Sequence, residues 1–152
     1  MDYNRKLSAS SVVFKDGKVL LVKHTYGAAK GKYLIPGGFS EVDELPQKTA
    51  EREVYEETGV RVSAKDMIAV RFTTQEVWCI FEAEYLSGSP KSDMAENDEA
   101  IFMDVDEAIV SEHVVETTRE IIKAVLDEKK QKLKKSNYVN KSYNADTWQI
   151  FL

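Results

Sequence analysis

The segment from residue 44 to residue 58 constrains this chain most, because it predicts a helix with three glutamates on one side. Glu53, Glu56 and Glu57 are spaced i, i+3 and i+4, which places them within an arc of about 100° on the helix surface. Like charges at this spacing destabilise a helix by a few tenths of a kcal/mol per pair. Crowded oxygen ligands suit Mg²⁺ or Mn²⁺, whereas the alternative interpretation is a solvated acidic face.

Cap and turn residues bound this helix and place strands on both sides of it. Asp43 is the expected N-cap, Pro46 is tolerated in the first turn, and Gly59 is expected to end the helix. The dipeptide Asp16-Gly17 predicts a hairpin. Apolar segments predict strands at 8–14, 18–23, 33–35, 60–62, 67–72, 77–86 and 101–105. A 3.6-residue period predicts a second, amphipathic helix over about 113–133, and the order of elements indicates an α/β fold.

Composition restricts the class of protein. The chain has 152 residues, 43% hydrophobic and 31% charged, which predicts one globular domain over residues 1–135. No run of 18 apolar residues occurs, so no membrane partner is expected. Cys79 is the only cysteine, which excludes an internal disulfide and fits a cytoplasmic location. Residues 136–152 form a tail, docked or partly mobile, whose aromatic residues would be buried on the domain or on a second subunit; a homodimer stays open.

Charge is distributed unevenly along the chain. Residues 41–57 carry a net charge of −5, and residues 123–141 carry a net charge of +5. The acidic cluster disfavours nucleic acid as a partner, because a polyanion would be repelled unless a metal ion mediated the contact. The lysines at 129–135 leave RNA binding open, but basic residues also suit the C-terminal end of a helix.

The acidic helix belongs to a longer pattern that runs from residue 38 to residue 60. It reads Gly38, five residues, Glu44, seven residues, Arg52-Glu53-Val54, one residue, Glu56-Glu57, one residue, Gly59-Val60. This pattern resembles the Nudix box of the Nudix (MutT-like) hydrolases at all nine constrained positions. The resemblance implies an α/β/α sandwich with a mixed sheet over about residues 7–133. It also implies hydrolysis of a diphosphate linked to another group, with Mg²⁺ or Mn²⁺ as the cofactor.

The resemblance also implies roles for the residues of the box. Glu53, Glu56 and Glu57 are expected to ligate the metal, and Glu44 corresponds to a glutamate that is a ligand in some members and structural in others. Arg52 resembles the arginine that orients the glutamates through charge-assisted hydrogen bonds. Glu53, Glu57 and Arg52 are therefore the expected catalytic residues on the helix.

A carboxylate must also accept the proton of the attacking water. Glu53 is one candidate. Glu99 is the other, since it resembles a family glutamate that lies three residues ahead of an aromatic residue, here Phe102. Glu96 and Asp98 are alternatives on the same segment. These acidic residues could also simply form a charged, solvated loop without a catalytic role.

Substrate choice depends on residues outside the box. The candidates for contact with the nucleotide are Gly37, Gly38, Tyr33, Arg71 and Trp78. Glu76 occupies the position where a subgroup of ADP-ribose hydrolases has proline, so that subgroup is not indicated. The expected small-molecule substrate is a nucleoside triphosphate or a nucleotide sugar. A non-catalytic nucleotide sensor of the same fold and an RNA-end-processing hydrolase are the alternatives.

Overall fold

The computed structural model describes residues 5–138 and 149–152. Its strands are β1 (Lys6–Lys15), β2 (Lys18–His24), β3 (Tyr33–Leu34), β4 (Gly37–Phe39), β5 (Arg61–Phe72), β6 (Glu76–Ser87) and β7 (Asn97–Asp104). Its helices are α1 (Pro46–Thr58), α2 (Val105–Ala108) and α3 (Glu116–Leu126). No helix among these residues is long and apolar enough to cross a membrane.

All seven strands belong to one mixed sheet, whose main path runs β3-β2-β1-β6-β5. The β1–β6 pair is parallel, and the other pairs are antiparallel. Strand β1 pairs with β2 only beside their hairpin turn, at Phe14 and Lys15; at Ser8–Ser10 its partner on that edge is β4. The sheet therefore opens between β1 and β2, and the inserted β4 brings its glycines to the opening.

Helices cover both faces of the sheet. On one face Ala50 and Val54 of α1 pack into a core that contains Phe81, while on the other face Ile122 and Val125 of α3 pack into a core that contains Ile80. Neighbouring residues of β6 thus point into opposite cores, as the strand period of two requires. The arrangement confirms the α/β/α sandwich with a mixed sheet.

Several local predictions are confirmed and others are wrong. The Asp16-Gly17 hairpin forms, with both residues at positive φ. The strands predicted at 60–62 and 67–72 are one strand, β5, because bulges beside Met67 let it continue past its polar residues. The second helix is shorter than predicted: it ends at Leu126, because no apolar residues continue its stripe and Asp127 is extended.

The described part of the tail docks on the domain. Leu152 and Lys134 exchange two main-chain hydrogen bonds of 2.8 and 2.9 Å. The Phe151 ring packs against Phe81, with ring centroids 5.5 Å apart. Tyr143 and Trp148, two further aromatic residues of the tail, lie outside the described residues.

Candidate active site

Helix α1 begins at Pro46 and ends at Thr58. Pro46 occupies the first turn, where its missing N–H costs nothing, and the N-cap position is Leu45, with no side-chain cap. The prediction of Asp43 as N-cap is therefore wrong; Asp43 instead adopts a left-handed φ of 62° in the preceding turn. Gly59 ends the helix in the left-handed conformation as predicted, with φ 72°.

Arg52 is the centre of a cluster of carboxylates on α1 and in the turn before it. Its Nε and Nη2 donate to both oxygens of Glu44, at 2.8 and 3.0 Å, and its Nη1 donates to Glu53 at 2.8 Å and to Glu56 at 3.0 Å. A further hydrogen bond of 3.0 Å reaches the carbonyl of Phe39 in β4. Arg52 thus holds three carboxylates of the Nudix-like pattern together and connects them to strand β4.

Glu44 is fully engaged by this cluster. Besides Arg52, its carboxylate accepts hydrogen bonds from the Thr49 hydroxyl at 2.8 Å and from the Glu41 N–H at 3.0 Å. The bonds from Arg52 are the main reason why the pKa of Glu44 is lowered to about 2. A carboxylate with this many donors has little free capacity for a metal ion, so its contacts are those of a structural residue.

Glu57 is the opposite case, a buried carboxylate with one oxygen that has no hydrogen-bond partner among the described residues. Its side chain is 3% exposed. One oxygen accepts the N–H of Gly37 at 3.3 Å, whereas Oε1 has no hydrogen-bond partner in the described structure. Burial first, and the nearby charge of Glu53 second, raise the pKa of Glu57 to about 9. Burial also raises the pKa of Glu53, although Arg52 opposes that shift.

The glycines of β4 are required by close approach. A Cβ on Gly38 would lie 2.5–2.6 Å from the carboxylate atoms of Glu53, and a Cβ on Gly37 would lie 1.8 Å from the Ser10 hydroxyl. The absence of these side chains lets the strand pass directly over the acidic side of α1. Gly37 and Gly38 therefore lie at the site, where they were predicted.

A cavity of about 460 Å³ opens beside these carboxylates. Glu53 and Gly38 form part of its wall, Trp78 and Arg71 line its sheet side, and Glu96 faces it from the loop before β7. Burial lowers the pKa of His24, which also lines the cavity and stacks on Tyr26 with centroids 5.2 Å apart. Of the predicted substrate residues, the structure brings four to one cavity: Gly37, Gly38, Arg71 and Trp78.

Glu96 is held in a short structured loop. The Asp93 carboxylate accepts the main-chain N–H groups of Ala95, Glu96 and Asn97 at 2.8–3.1 Å. The Thr25 hydroxyl donates to the carbonyl of Glu96 at 3.1 Å, and the Tyr26 hydroxyl donates to its carboxylate at 3.4 Å. The charge of Glu96 raises the pKa values of both Glu53 and Glu57, which places Glu96 electrostatically within the site.

Glu99 and Tyr33, two of the predicted site residues, lie elsewhere. The Glu99 carboxylate accepts a hydrogen bond from the Tyr33 hydroxyl, and neither residue is among those that line the cavity. Desolvation and this bond raise the pKa of Tyr33 to about 12. The structure thus separates both residues from Glu53 and brings the alternative, Glu96, to it. The register of β7 against β2 shifts between Asn97 and Glu99, opposite His24 and Lys23.

The positions of the carboxylates determine which kind of divalent-cation site they can form. Among residues 5–138 and 149–152, no three carboxylate, imidazole or thiol groups converge on one point, since Glu53 and Glu56 both turn to Arg52. Mg²⁺, however, is usually held by one or two carboxylates together with substrate phosphates and water. The unpartnered oxygen of Glu57, with the adjacent Glu53, fits this kind of site.

Comparison with protein families identifies the class of enzyme. A family model described as "NUDIX domain" matches residues 4–125, and the chain belongs to this family. It is a Nudix hydrolase, an enzyme that acts on phosphoanhydride bonds. The resemblance seen in residues 38–60 is thereby confirmed.

Individual relatives agree with the family assignment. A "MutT-like protein" of Streptomyces ambofaciens is 33% identical over 109 residues, which cover 71% of this chain and 68% of the relative. An "ADP-ribose pyrophosphatase" of Methanocaldococcus jannaschii is 34% identical over 64 residues, 42% of this chain but only 38% of that protein. A Nudix hydrolase structure from Nitrosomonas europaea has a TM-score of 0.74 at 25% identity, covering 83% of this chain and 72% of its own.

Proposed function

We propose that this enzyme is a divalent-metal-dependent pyrophosphohydrolase that cleaves a nucleoside diphosphate linked to another group, either a further phosphate or a sugar. The single observation that carries the proposal is the buried, unpartnered Oε1 of Glu57, a residue whose other oxygen accepts the N–H of Gly37 in the wall of an open cavity. A buried polar atom without a partner costs about 1–3 kcal/mol, and a retained cost of this kind is typical of a functional site.

Glu57 and Glu53 would hold Mg²⁺ or Mn²⁺. Glu56 would contribute from the edge, since its side chain is 55% exposed and bonded to Arg52. When bound, the ion would neutralise charge on the phosphate oxygens and make phosphorus more electrophilic. The pKa values of Glu53 and Glu57 are raised, so without a nearby positive charge their ionised forms are disfavoured. A bound cation would stabilise the ionised forms, which supports this assignment.

Glu96 supports the chemistry better than Glu99 as the acceptor of the proton from the attacking water. It lines the cavity with Glu53, and its loop is fixed by Asp93. Arg52 is a positioning residue, since its five donors are directed at carboxylates and a carbonyl of the protein. Cleavage would release a nucleoside monophosphate and either pyrophosphate or a phosphorylated sugar.

The test is a hydrolysis screen of nucleoside triphosphates, nucleotide sugars, dinucleoside polyphosphates and capped RNA, with Mg²⁺, with Mn²⁺ and with EDTA. We expect turnover of small nucleotides with either ion and none with EDTA, while circular dichroism shows an unchanged fold. The matched control for Glu57→Gln is Glu120→Gln, which removes an exposed charge on α3. Full turnover in EDTA, or equal rates for the two variants, would contradict the proposal.

The same screen tests the alternatives. A non-catalytic sensor would bind nucleotides without turnover, and an RNA-end-processing enzyme would prefer capped RNA, with binding that weakens steeply with salt. All the box glutamates are present, which favours catalysis over sensing. The cytoplasmic location stays a prediction, which fractionation of cells would test.

A further inference from the structure

Two aromatic rings flank one position of the cavity wall. Ser8 in β1 is the register partner of Phe39 in β4 on one side and of Trp78 in β6 on the other. Register partners share a face of the sheet, so all three side chains project to the cavity side. The two ring-bearing backbones are thus separated by two strand spacings, about 9.6 Å, which leaves a slot for one planar ring above Ser8.

The slot has the features of a stacking site. Phe39 is 54% exposed although it is a large apolar side chain beside a cavity. The Trp78 ring is fixed by two contacts: its Nε1 donates to the Ser10 hydroxyl at 2.9 Å, and the Arg71 guanidinium lies over one face of the ring, 4.6 Å from its centroid. Aromatic rings that are held in place this way provide stacking area for a base at low entropic cost.

A carboxylate that is bonded to Ser8 lies next to this slot. Glu76 accepts one hydrogen bond from the Ser8 hydroxyl on Oε1 and one from Arg71 Nη2, at 2.7 Å, on Oε2. Its side chain keeps one quarter of its surface exposed, and it lines the cavity. A carboxylate accepts about four hydrogen bonds, so each oxygen of Glu76 retains capacity for one more. It therefore offers two acceptors side by side, in an orientation set by Ser8 and Arg71.

We propose that Glu76 selects a base with the 2-amino-4-oxopyrimidine edge, the edge that guanine and the pterins share. This edge presents a ring N–H and an amino group next to each other, which is the donor pair that two adjacent acceptors require. Adenine and cytosine place an acceptor nitrogen beside their amino group, and uracil places its ring N–H between two carbonyls. Each of them would leave one oxygen of Glu76 facing another acceptor or no donor.

The slot is continuous with the carboxylates of α1. Strand β4 contributes Phe39 to the slot, and its neighbour Gly38 lies against the Glu53 carboxylate. A base stacked beside Phe39 would therefore extend its phosphates towards Glu53 and Glu57. The inference rests on the proposed hydrolysis for its substrate, but recognition of the base does not need the metal.

The experiment compares kcat/KM for GTP, ITP, ATP and 7,8-dihydroneopterin triphosphate. ITP differs from GTP only by the missing amino group. We expect GTP to exceed ITP and ATP by about 10- to 100-fold, as a bidentate contact to a base typically gives. The fourth substrate distinguishes the two sources of the same edge, because a preference for it over GTP assigns the slot to a pterin rather than to guanine.

Glu76→Gln turns one acceptor into a donor, and we expect it to reduce the GTP/ITP ratio to about one, mainly through KM. The matched control is Glu84→Gln on the same strand, whose exposed carboxylate pairs with Lys65 at 3.4 Å, outside the cavity. That variant should keep the wild-type ratio. A ratio near one in the wild type, or an unchanged ratio in folded Glu76→Gln, would overturn the inference.

Calorimetric titration of the metal-free protein with GMP, IMP and AMP provides the second readout. We expect GMP to bind more tightly than IMP and AMP in the wild type. This comparison of ligands uses only the wild type, so it remains valid even if Glu76→Gln does not fold. Tighter GMP binding without any hydrolysis would contradict only the proposed function. Hydrolysis of several nucleotides with equal GMP and IMP affinity would contradict only the base preference.

Discussion

The side-chain amide of Asn97 donates a hydrogen bond of 3.0 Å to the main-chain carbonyl of Glu57. The last carbonyls of a helix lack partners within the helix, so this bond satisfies one of them at the end of α1. Asn97 is fully buried, and it follows Glu96 directly. The bond therefore sets the position of the Glu96 loop relative to the carboxylates of the helix.

Replacement of Asn97 by alanine is expected to affect both stability and catalysis. Loss of a buried hydrogen bond should lower the free energy of unfolding by about 1–3 kcal/mol, measured by urea denaturation. The freed loop should also lower kcat more than it raises KM. Asp98→Asn on the exposed neighbour is the control, with both values near wild type. An Asn97→Ala variant with reduced stability but unchanged kcat would show that the bond does not position Glu96.

Glu57 predicts an unusual pH dependence of stability in the metal-free protein. Its pKa is raised from 4.5 to about 9, so between these values the folded chain keeps a proton that the unfolded chain has lost. The free energy of unfolding must then fall as the pH rises across this window. For a chain of this size, each 1 kcal/mol corresponds to about 2–4 °C in Tm.

We therefore expect the Tm of the wild type in EDTA to fall by several degrees between pH 5 and pH 8, relative to Glu57→Gln, which has no such proton to lose. Added Mg²⁺ should raise the Tm of the wild type at pH 8 more than that of the variant. The variant should also lose activity on the order of 10³-fold. Parallel Tm curves for the two proteins would contradict the raised pKa of Glu57.

The acidic helix was predictable from the sequence because it depends on local pattern. Spacing alone places Glu53, Glu56 and Glu57 on one side, and Gly59 ends the helix where a left-handed residue is needed. Its start was not predicted, since Asp43 and Pro46 are both typical of helix starts and only the structure shows that no side chain caps α1.

The roles of the residues outside the box depend on tertiary contacts, which leave no local pattern in a single sequence. Glu96, Asp98 and Glu99 were all candidates, and only Glu96 of the three lines the cavity, because its loop is bonded to Thr25 and Tyr26 whereas Glu99 is bonded to Tyr33. Asn97 was not recognisable from the sequence, because its role depends on a hydrogen bond to Glu57, a residue 40 positions earlier in the chain. In the sequence, Glu76 stood out only because it replaces the proline of one subgroup. Its hydrogen bond from Ser8 depends on the pairing of β1 with β6.

The comparison of Glu96→Gln with Glu99→Gln tests which carboxylate accepts the proton. We expect Glu96→Gln to lower kcat by on the order of 10²- to 10⁴-fold, because it lines the cavity with Glu53. Glu99→Gln should retain most of the activity, since its carboxylate is bonded to Tyr33. Metal titration by calorimetry would separate a lost base from a lost ligand. A severe loss in Glu99→Gln alone would restore the assignment expected from the sequence.

Glu44 should stabilise the fold rather than take part in hydrolysis. Its pKa is lowered to about 2, chiefly by Arg52, so its contribution is present above pH 4.5 and disappears as the pH falls towards 2. Glu44→Gln should lower the free energy of unfolding by about 2 kcal/mol at pH 7 and by progressively less below pH 4.5. Glu41→Gln, an exposed neighbour, is the control. A loss of activity greater than that of Glu57→Gln would instead make Glu44 a ligand.

The docked end of the chain is expected to stabilise the sandwich without contributing to metal binding. Phe151 packs on Phe81, and Gln47 in the first turn of α1 accepts hydrogen bonds from Lys135 at 3.0 Å and from Gln149 at 3.4 Å. The segment therefore covers the core beside the start of the helix, whereas Glu57 lies near the other end of the helix.

Phe151→Ala should lower the free energy of unfolding by about 2 kcal/mol, less than the 3–5 kcal/mol typical of a fully buried phenylalanine, because the ring is only partly buried. Deletion of residues 137–152 should have at least the same effect. Leu152→Ala removes a side chain that is 68% exposed and serves as the control. The Mg²⁺ concentration for half-maximal activity should be unchanged in all three variants. A shift of that concentration in Phe151→Ala would show that the docked end also positions the carboxylates of α1.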